Sequence, residues 1–209
     1  MAMSYTTLVG AKTLAGSIKR ATNYAELDSE VILEQAQTFL YSTLRVREMK
    51  SLWNPAMVVG DYYKALPSDW LDPISGRFSD TSNLYYFSTL ETDLMMRRCY
   101  DSSNVLVSGT PIWWAIFDER IQFDAKFDTA RTLNILYFKI PTALSGSNET
   151  NFVTTRYPHL LQQACKVQAH AFMKSWNAYN TEFPLLIELI SRANVESDLT
   201  YRGADYDQG

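Results

Sequence analysis

Apolar residues recur at helical spacing near both ends of the chain and at strand spacing in its middle. From Thr6 to Ile18, Leu8, Ala11, Leu14, Ala15 and Ile18 define one helix face, with Lys19 and Arg20 in a last turn where cations suit the helix dipole. A break follows at Asn23–Tyr24. Asn23 with Glu26 resembles a capping box, and Asp28 or Ser29 is an equally good cap. The next helix is predicted to run to about Arg47 with Ile32, Ala36, Phe39, Leu40 and Leu44 as its stripe. Leu33 and Val46 fall off that stripe and imply a second buried face. After a polar loop over 142–151, Pro158 suits the first position of a helix, where its missing N–H costs nothing. Leu160, Leu161, Ala164, Val167, Phe172 and Trp176 continue that helix's apolar side. A last helix, capped by Thr181, is predicted past Leu189 with Leu186, Leu189, Ile190 and Ala193 on its face, Pro184 being tolerable only in its first turn.

Between Ser51 and Ile140 the texture changes. Short β-prone runs alternate with turn residues, at Met57–Val59, Asp61–Leu66, Leu84–Phe87, Ile112–Phe117, Ile121–Phe123 and Thr132–Ile140. Asp118-Glu119-Arg120 reads as a hairpin turn, Thr89–Arg98 as a short helix, and the nearly continuous apolar run at 133–137 as a strand buried on both faces. The expected class is α+β. A helical bundle forms from residues 1–50 and 142–197, a β-rich insertion spans 51–141, and an extended C-terminal tail covers 198–209.

Composition narrows the possibilities. A 209-residue chain that is 46% hydrophobic and 20% charged is expected to fold without staples. No run approaches eighteen apolar residues, so no membrane helix is expected, and the first twenty residues lack a secretory-signal pattern. Two cysteines make no disulfide framework. A net charge of −4 disfavours a protein that neutralises nucleic-acid phosphates. The 13% aromatic content points instead to extensive interfaces.

Candidate chemistry is sparse. Phosphate-loop, dinucleotide-turn, nucleophile-elbow and His-Glu-x-x-His patterns are all missing from the sequence. His159 and His170 lie three helical turns apart, about 16 Å by the helical rise, and cannot share a metal. Cys165 reads as a small buried hydrophobe. Cys99 follows Arg97-Arg98, whose charge could depress its pKa, yet structural use is the better reading. Asp69 with Asp72, and Asp118 with Glu119, are carboxylate pairs that a glycosidase could use, though acidic turns are common. Trp113 and Trp114 point to opposite faces of a strand, so one belongs to the core and the other is free to stack on a sugar, a base or a partner protein. Asn148-Glu-Thr matches a glycosylation sequon without a secretory context. The end, Tyr201-Arg-Gly-Ala-Asp-Tyr-Asp, cannot build a core; it is either a frayed terminus or a segment ordered by docking on another protein. The expected protein is no enzyme and uses no cofactor or metal.

Three blocks together carry a family likeness. They are Tyr5-Thr-Thr-Leu-Val-Gly-Ala-Lys with Leu33-Glu-Gln-Ala-Gln and Leu44-Arg-Val-Arg-Glu-Met; Leu66-Pro-Ser-Asp-Trp-Leu-Asp-Pro-Ile-Ser; and Thr155-Arg-Tyr-Pro-His-Leu-Leu-Gln-Gln-Ala. The chain resembles the head-to-tail adaptor, or connector, proteins of tailed bacteriophages, of the short-tailed type. The Arg156-Tyr157-Pro158 helix entry is the most specific piece.

The resemblance implies a structural virion protein at the head–tail connector, assembled in the host cytoplasm. Such proteins form a ring, usually twelvefold, between the portal and the tail or nozzle proteins, and extend the channel through which DNA passes without sequence-specific binding. On that footing Tyr201, Arg202, Asp205 and Tyr206 are the expected portal contacts. Leu33, Val46, Val167 and Trp176 are the expected inter-subunit residues, and Trp113 or Trp114 faces the tail or another partner. A ring of acidic subunits would repel DNA from its wall. The competing readings are a stopper or tail-base protein and, from a different class, a carbohydrate-binding module.

Overall fold

A computed structural model describes residues 3–10, 27–79 and 84–203. The protein is α+β and divides into two compact units, residues 1–49 with 140–209, and residues 50–139.

The first unit is helical. A short helix α1 (Tyr5–Val9) is capped by Ser4, whose Oγ accepts from the Thr7 N–H. The helix expected over Thr6–Ile18 is seen as far as Val9; its remainder and the Asn23 cap lie outside the described residues. Helix α2 (Ser29–Thr43) starts at Asp28, whose carboxylate accepts from the Glu30 and Val31 N–H groups. It stops before the expected Arg47, and a 3₁₀ turn at Arg47–Met49 follows. Leu33, Ala36 and Leu40 of α2 are fully buried, as are Leu44 and Val46 just beyond it.

Among the described residues, three further helices belong to this unit, with a seven-residue one, α3 (Thr92–Arg98), lying in the other. Helix α4 (Phe152–Arg156) opens on a reciprocal capping box between Asn151 and Thr154. Helix α5 (Pro158–Phe172) begins on its proline, as the sequence reading expects. Helix α6 (Trp176–Gly203) corrects that reading twice. It starts a turn and a half before Thr181, whose hydroxyl donates back to the Asn177 carbonyl instead of capping. Pro184 therefore sits inside a helix, where it leaves the Asn180 carbonyl without its i+4 donor. Helix α6 also runs through 198–203, which the sequence reading assigns to an extended tail. That stretch has neither Pro nor Gly before Gly203, so nothing stops the helix sooner. Helix α5 packs between α2 and α6, burying Leu160, Leu161, Ala164 and Val167 with Leu186, Ile190 and Ala193.

The second unit is a sheet with strand order β1-β10-β4-β5-β7-β8-β3. Its strands are β1 (Lys50–Trp53), β2 (Ala56–Met57), β3 (Tyr63–Ala65), β4 (Trp70–Ser79), β5 (Leu84–Thr89), β7 (Trp113–Phe117), β8 (Arg120–Phe123) and β10 (Arg131–Lys139); β6 (Ser108–Gly109) and β9 (Lys126–Phe127) form a separate parallel pair. Among the described residues of the large sheet, only β5 and β7 run parallel. Strands β1 and β2 both pair with β10 and are interrupted by Pro55, which has no N–H for a ladder.

Strand β4 is the longest, and the β-prone pattern does not announce it because Pro73 and Gly76 interrupt the run. Both are accommodated by tertiary detail. Pro73 pairs with Tyr137 where the β4–β10 register shifts. At Gly76 a Cβ would lie 3.1 Å from Phe87 and 3.2 Å from Trp114, so the strand needs the missing side chain for close approach. The core comprises Met57, Phe78, Phe87, Trp114, Ile121, Phe123, Phe127, Leu133 and Ile135. On β10 only Leu133, Ile135 and Tyr137 are buried, which corrects the expectation of two fully buried faces; the intervening residues are half-covered. Helix α3 packs on β7 through Met95 and Cys99 against Ala115.

Candidate functional site

The residues that the sequence singles out fall into a β-unit cleft and a set of surfaces on the helical unit. The cleft begins with the β7–β8 hairpin. Phe117 pairs with Arg120 across a two-residue turn, and Asp118 takes a left-handed conformation at φ 58°, which Asp tolerates better than most residues. The Glu119 carbonyl accepts from the Leu66 N–H at 2.9 Å, and a turn from Pro67 to Trp70 leads into β4. The result is a cleft of about 650 Å³ walled by Leu66, Leu71, Ile116 and Trp70, with Asp72, Asp118 and Glu119 on its lining. Trp70 is fixed by stacking on Tyr137 at 4.8 Å and by an edge contact to Trp53 at 6.0 Å.

Three of the four carboxylates noted in the sequence thus meet in one cleft. Asp69 does not join them. It accepts from the Tyr137 hydroxyl at 2.9 Å and ties the turn to β10. No histidine lines the cleft, and among the described residues no group of three or more His, Cys, Asp or Glu is placed to hold a metal. Apolar walls with a carboxylate rim suit a ligand that is part apolar and part cationic.

Trp114 is the core member of the tryptophan pair, at 2% exposure, so it has no face for a partner. Trp113 is half-buried on α3 with the Arg98 guanidinium 5.1 Å from its ring. Cys99 is buried, and burial pushes its thiol up, although a hydrogen bond from Gln122 opposes this. The depression that Arg97 and Arg98 could have caused is not seen, because both side chains lie on the exposed side of α3. Burial likewise pushes the Cys165 thiol up to about 12. Both thiols are buried and held in the protonated form.

On the helical unit, Leu33, Val46 and Val167 are buried within the chain itself and offer no apolar surface outward. Trp176 is 57% exposed. It opens a run of rings, Trp176 to Tyr179 at 6.0 Å, Tyr179 to Phe183 at 5.3 Å and Phe183 to Phe39 at 5.8 Å, across α6 and α2. Tyr201 and Arg202 lie on the last turn of α6; Asp205 and Tyr206 lie outside the described residues.

The Arg156-Tyr157-Pro158 entry has a clear physical role. Tyr157 is at once the C-cap of α4 and the N-cap of α5, and Pro158 starts the second helix in the first available register. Arg156 closes on the Glu48 carboxylate, which also takes the Arg47 guanidinium at 3.1 Å. The Arg47 N–H donates to Ser197 Oγ at 2.7 Å, so the 3₁₀ turn is fastened to α6. This Glu48 clamp escapes the sequence reading because its members are separated by about a hundred residues.

His159 is exposed, whereas His170 is half-buried near the end of α5. Its Nδ1 is buried without a hydrogen-bond partner among the described residues. Burial lowers its pKa from the ordinary 6.5, with Glu182 opposing and Lys166 adding to the effect. Across the helix pair, the Glu182 carboxylate takes the Lys166 ammonium and the Gln163 amide, at 2.8 Å for the latter, and these hydrogen bonds hold its pKa below 4.5. For both groups the folded state binds fewer protons than the unfolded chain, so stability rises with pH. It is complete above the histidine range, is lost first as pH falls below 6.5, and is lost further below 4.5. Urea midpoints measured from pH 8 to pH 3 should show this two-step decline, and His170→Gln should remove the upper step while leaving the lower.

A family model described as SU10 adaptor protein matches residues 5–201. No curated protein matches the chain.

Proposed function

The chain belongs to the SU10 adaptor protein family, and from that membership we propose that it forms the ring joining the portal to the tail of a bacteriophage virion. The observation that carries this is the family match across 197 of the chain's 209 residues, which includes both units. The helical unit, drawing on both ends of the chain, is read as the bundle that lines up around the ring. The β unit is read as the platform presented to tail proteins, with Trp113 of β7 as a contact residue. The role is structural: DNA passes through the channel, and the net charge of −4 per chain keeps it from adhering to the wall. Twelve copies are the expected number.

The end of α6 is read as the portal anchor. Tyr201, Arg202 and Tyr206 combine large contact area with directed hydrogen bonds, the usual qualities of interface anchors. Exposed apolar side chains on α6, among them Leu185, Ile187 and Val195, supply lateral contact.

Native mass measurement and negative-stain imaging of the chain mixed with its cognate portal provide the test. Gain of about twelve chains on the portal ring is the expected result, and absence of any association would favour the stopper or tail-base role. Removal of the residues after Ser197 should leave a folded chain that no longer binds the portal. Undiminished binding by that shortened chain would move the anchor elsewhere.

A further inference from the structure

The connection between α5 and α6 is a hydrogen-bonded turn, the tip of this helix pair. The Met173, Lys174 and Ser175 N–H groups donate to the Ala169, Ala171 and His170 carbonyls at 3.0, 3.0 and 2.9 Å. Lys174 occupies the left-handed position at φ 54°, where glycine is the usual helix terminator. A lysine there sets a cation at the apex of the turn. On either side of it Phe172 and Trp176 are 44% and 57% exposed. From Ala171 to Thr181 the sequence holds no other charged residue, and the next carboxylate, Glu182, is already engaged by Lys166.

The β-unit cleft has the complementary chemistry. Its walls are apolar and its Asp118–Glu119 turn projects two exposed carboxylates. Its volume of about 650 Å³ lies within the range in which pockets enclose large side chains. We infer that the Phe172–Lys174–Trp176 tip of one copy seats in the Leu66–Trp70–Ile116 cleft of the next, with Lys174 set against Asp118 and Glu119. The aromatic rings supply the buried area, while the charges fix register and exclude wrong pairings. Tip and cleft are unlike patches, so the contact is heterologous and repeats head to tail until rotation closes it. This rests on the ring reading above and names a contact that would build such a ring.

The test uses full-length chains assembled on the portal, after thermal midpoints confirm that each variant folds. Lys174→Glu should lower the assembled fraction about tenfold, as should Asp118→Lys with Glu119→Lys; combining the two should restore assembly. Mixing a Lys174→Cys chain with a Glu119→Cys chain should give an intermolecular disulfide that neither gives alone, since the native Cys99 and Cys165 are buried. Rings that form equally well from every variant without a cross-link would overturn the contact and leave the ring standing. A cross-link formed within one monomer carrying both cysteines would overturn it too. If the unmodified chain adds no ring to the portal, the ring reading fails and the contact fails with it.

Discussion

Phe78→Ala should destabilise the β unit by about 3–5 kcal/mol, the cost of emptying a large aromatic site in a packed core. Phe78 is fully buried on β4, an interior strand that pairs with both β10 and β5. Its ring stacks on Tyr85 at 4.9 Å and meets Phe87 and Phe127 at 5.2 and 6.2 Å. The Arg131 guanidinium lies 4.8 Å from the same ring. Neighbours from three other strands therefore lose contacts at once, and rings of this size cannot collapse into the space without leaving their own partners. Urea unfolding followed by tryptophan emission reads the change, because Trp114 belongs to the same core. Phe78→Leu should cost much less, since it retains most of the volume. A loss below about 1 kcal/mol for the alanine variant would mean that the cluster is not the centre of the unit.

Gln37→Leu should destabilise the helical unit by about 2–4 kcal/mol, although it replaces a buried polar side chain by an apolar one of similar size. Gln37 is 5% exposed. Its Oε1 accepts from the Tyr41 hydroxyl at 3.1 Å and from the Leu144 N–H at 2.6 Å. The Tyr41 oxygen in turn accepts from Asn151 Nδ2 at 2.6 Å, and the side-chain Oδ1 of Asn151 caps α4. Leucine leaves two buried donors unpaired, each carrying its own desolvation cost. Burial already pushes the Tyr41 phenol up to about 12. Adding Tyr41→Phe to Gln37→Leu removes one of the stranded donors and should recover part of the loss. A double-mutant cycle on urea midpoints measures that recovery, and strict additivity would show that the two side chains are uncoupled.

The helical ends were readable because an amphipathic helix declares its buried face locally. Asp28 as a cap and Pro158 at a first position follow from backbone groups within one turn. The strands at Leu84, Ile112, Ile121 and Thr132 were readable for the same reason, since β-branched and aromatic runs bounded by turn residues need no distant partner to be recognised. What misled was also local. Pro184 argued against a continuous α6, yet the lost hydrogen bond is outweighed where Leu186, Ile190 and Ala193 bury their stripe. Pro73 and Gly76 argued against β4, yet a register shift admits the first and two aromatic rings require the second.

By itself the sequence determined the fold class, the helical and β textures, the scarcity of catalytic chemistry and the family likeness, all properties carried by residues near one another in the chain. Only the tertiary structure decided which of the expected inter-subunit residues were spare. Leu33, Val46 and Val167 looked like surface for a neighbour, and their own chain covers them, because a second buried face is defined by what packs on it and not by spacing. The same holds for the cleft. Asp72 and the Asp118–Glu119 turn are about fifty residues apart in sequence, and only the pairing of β4 and β7 through β5 brings their carboxylates to one opening.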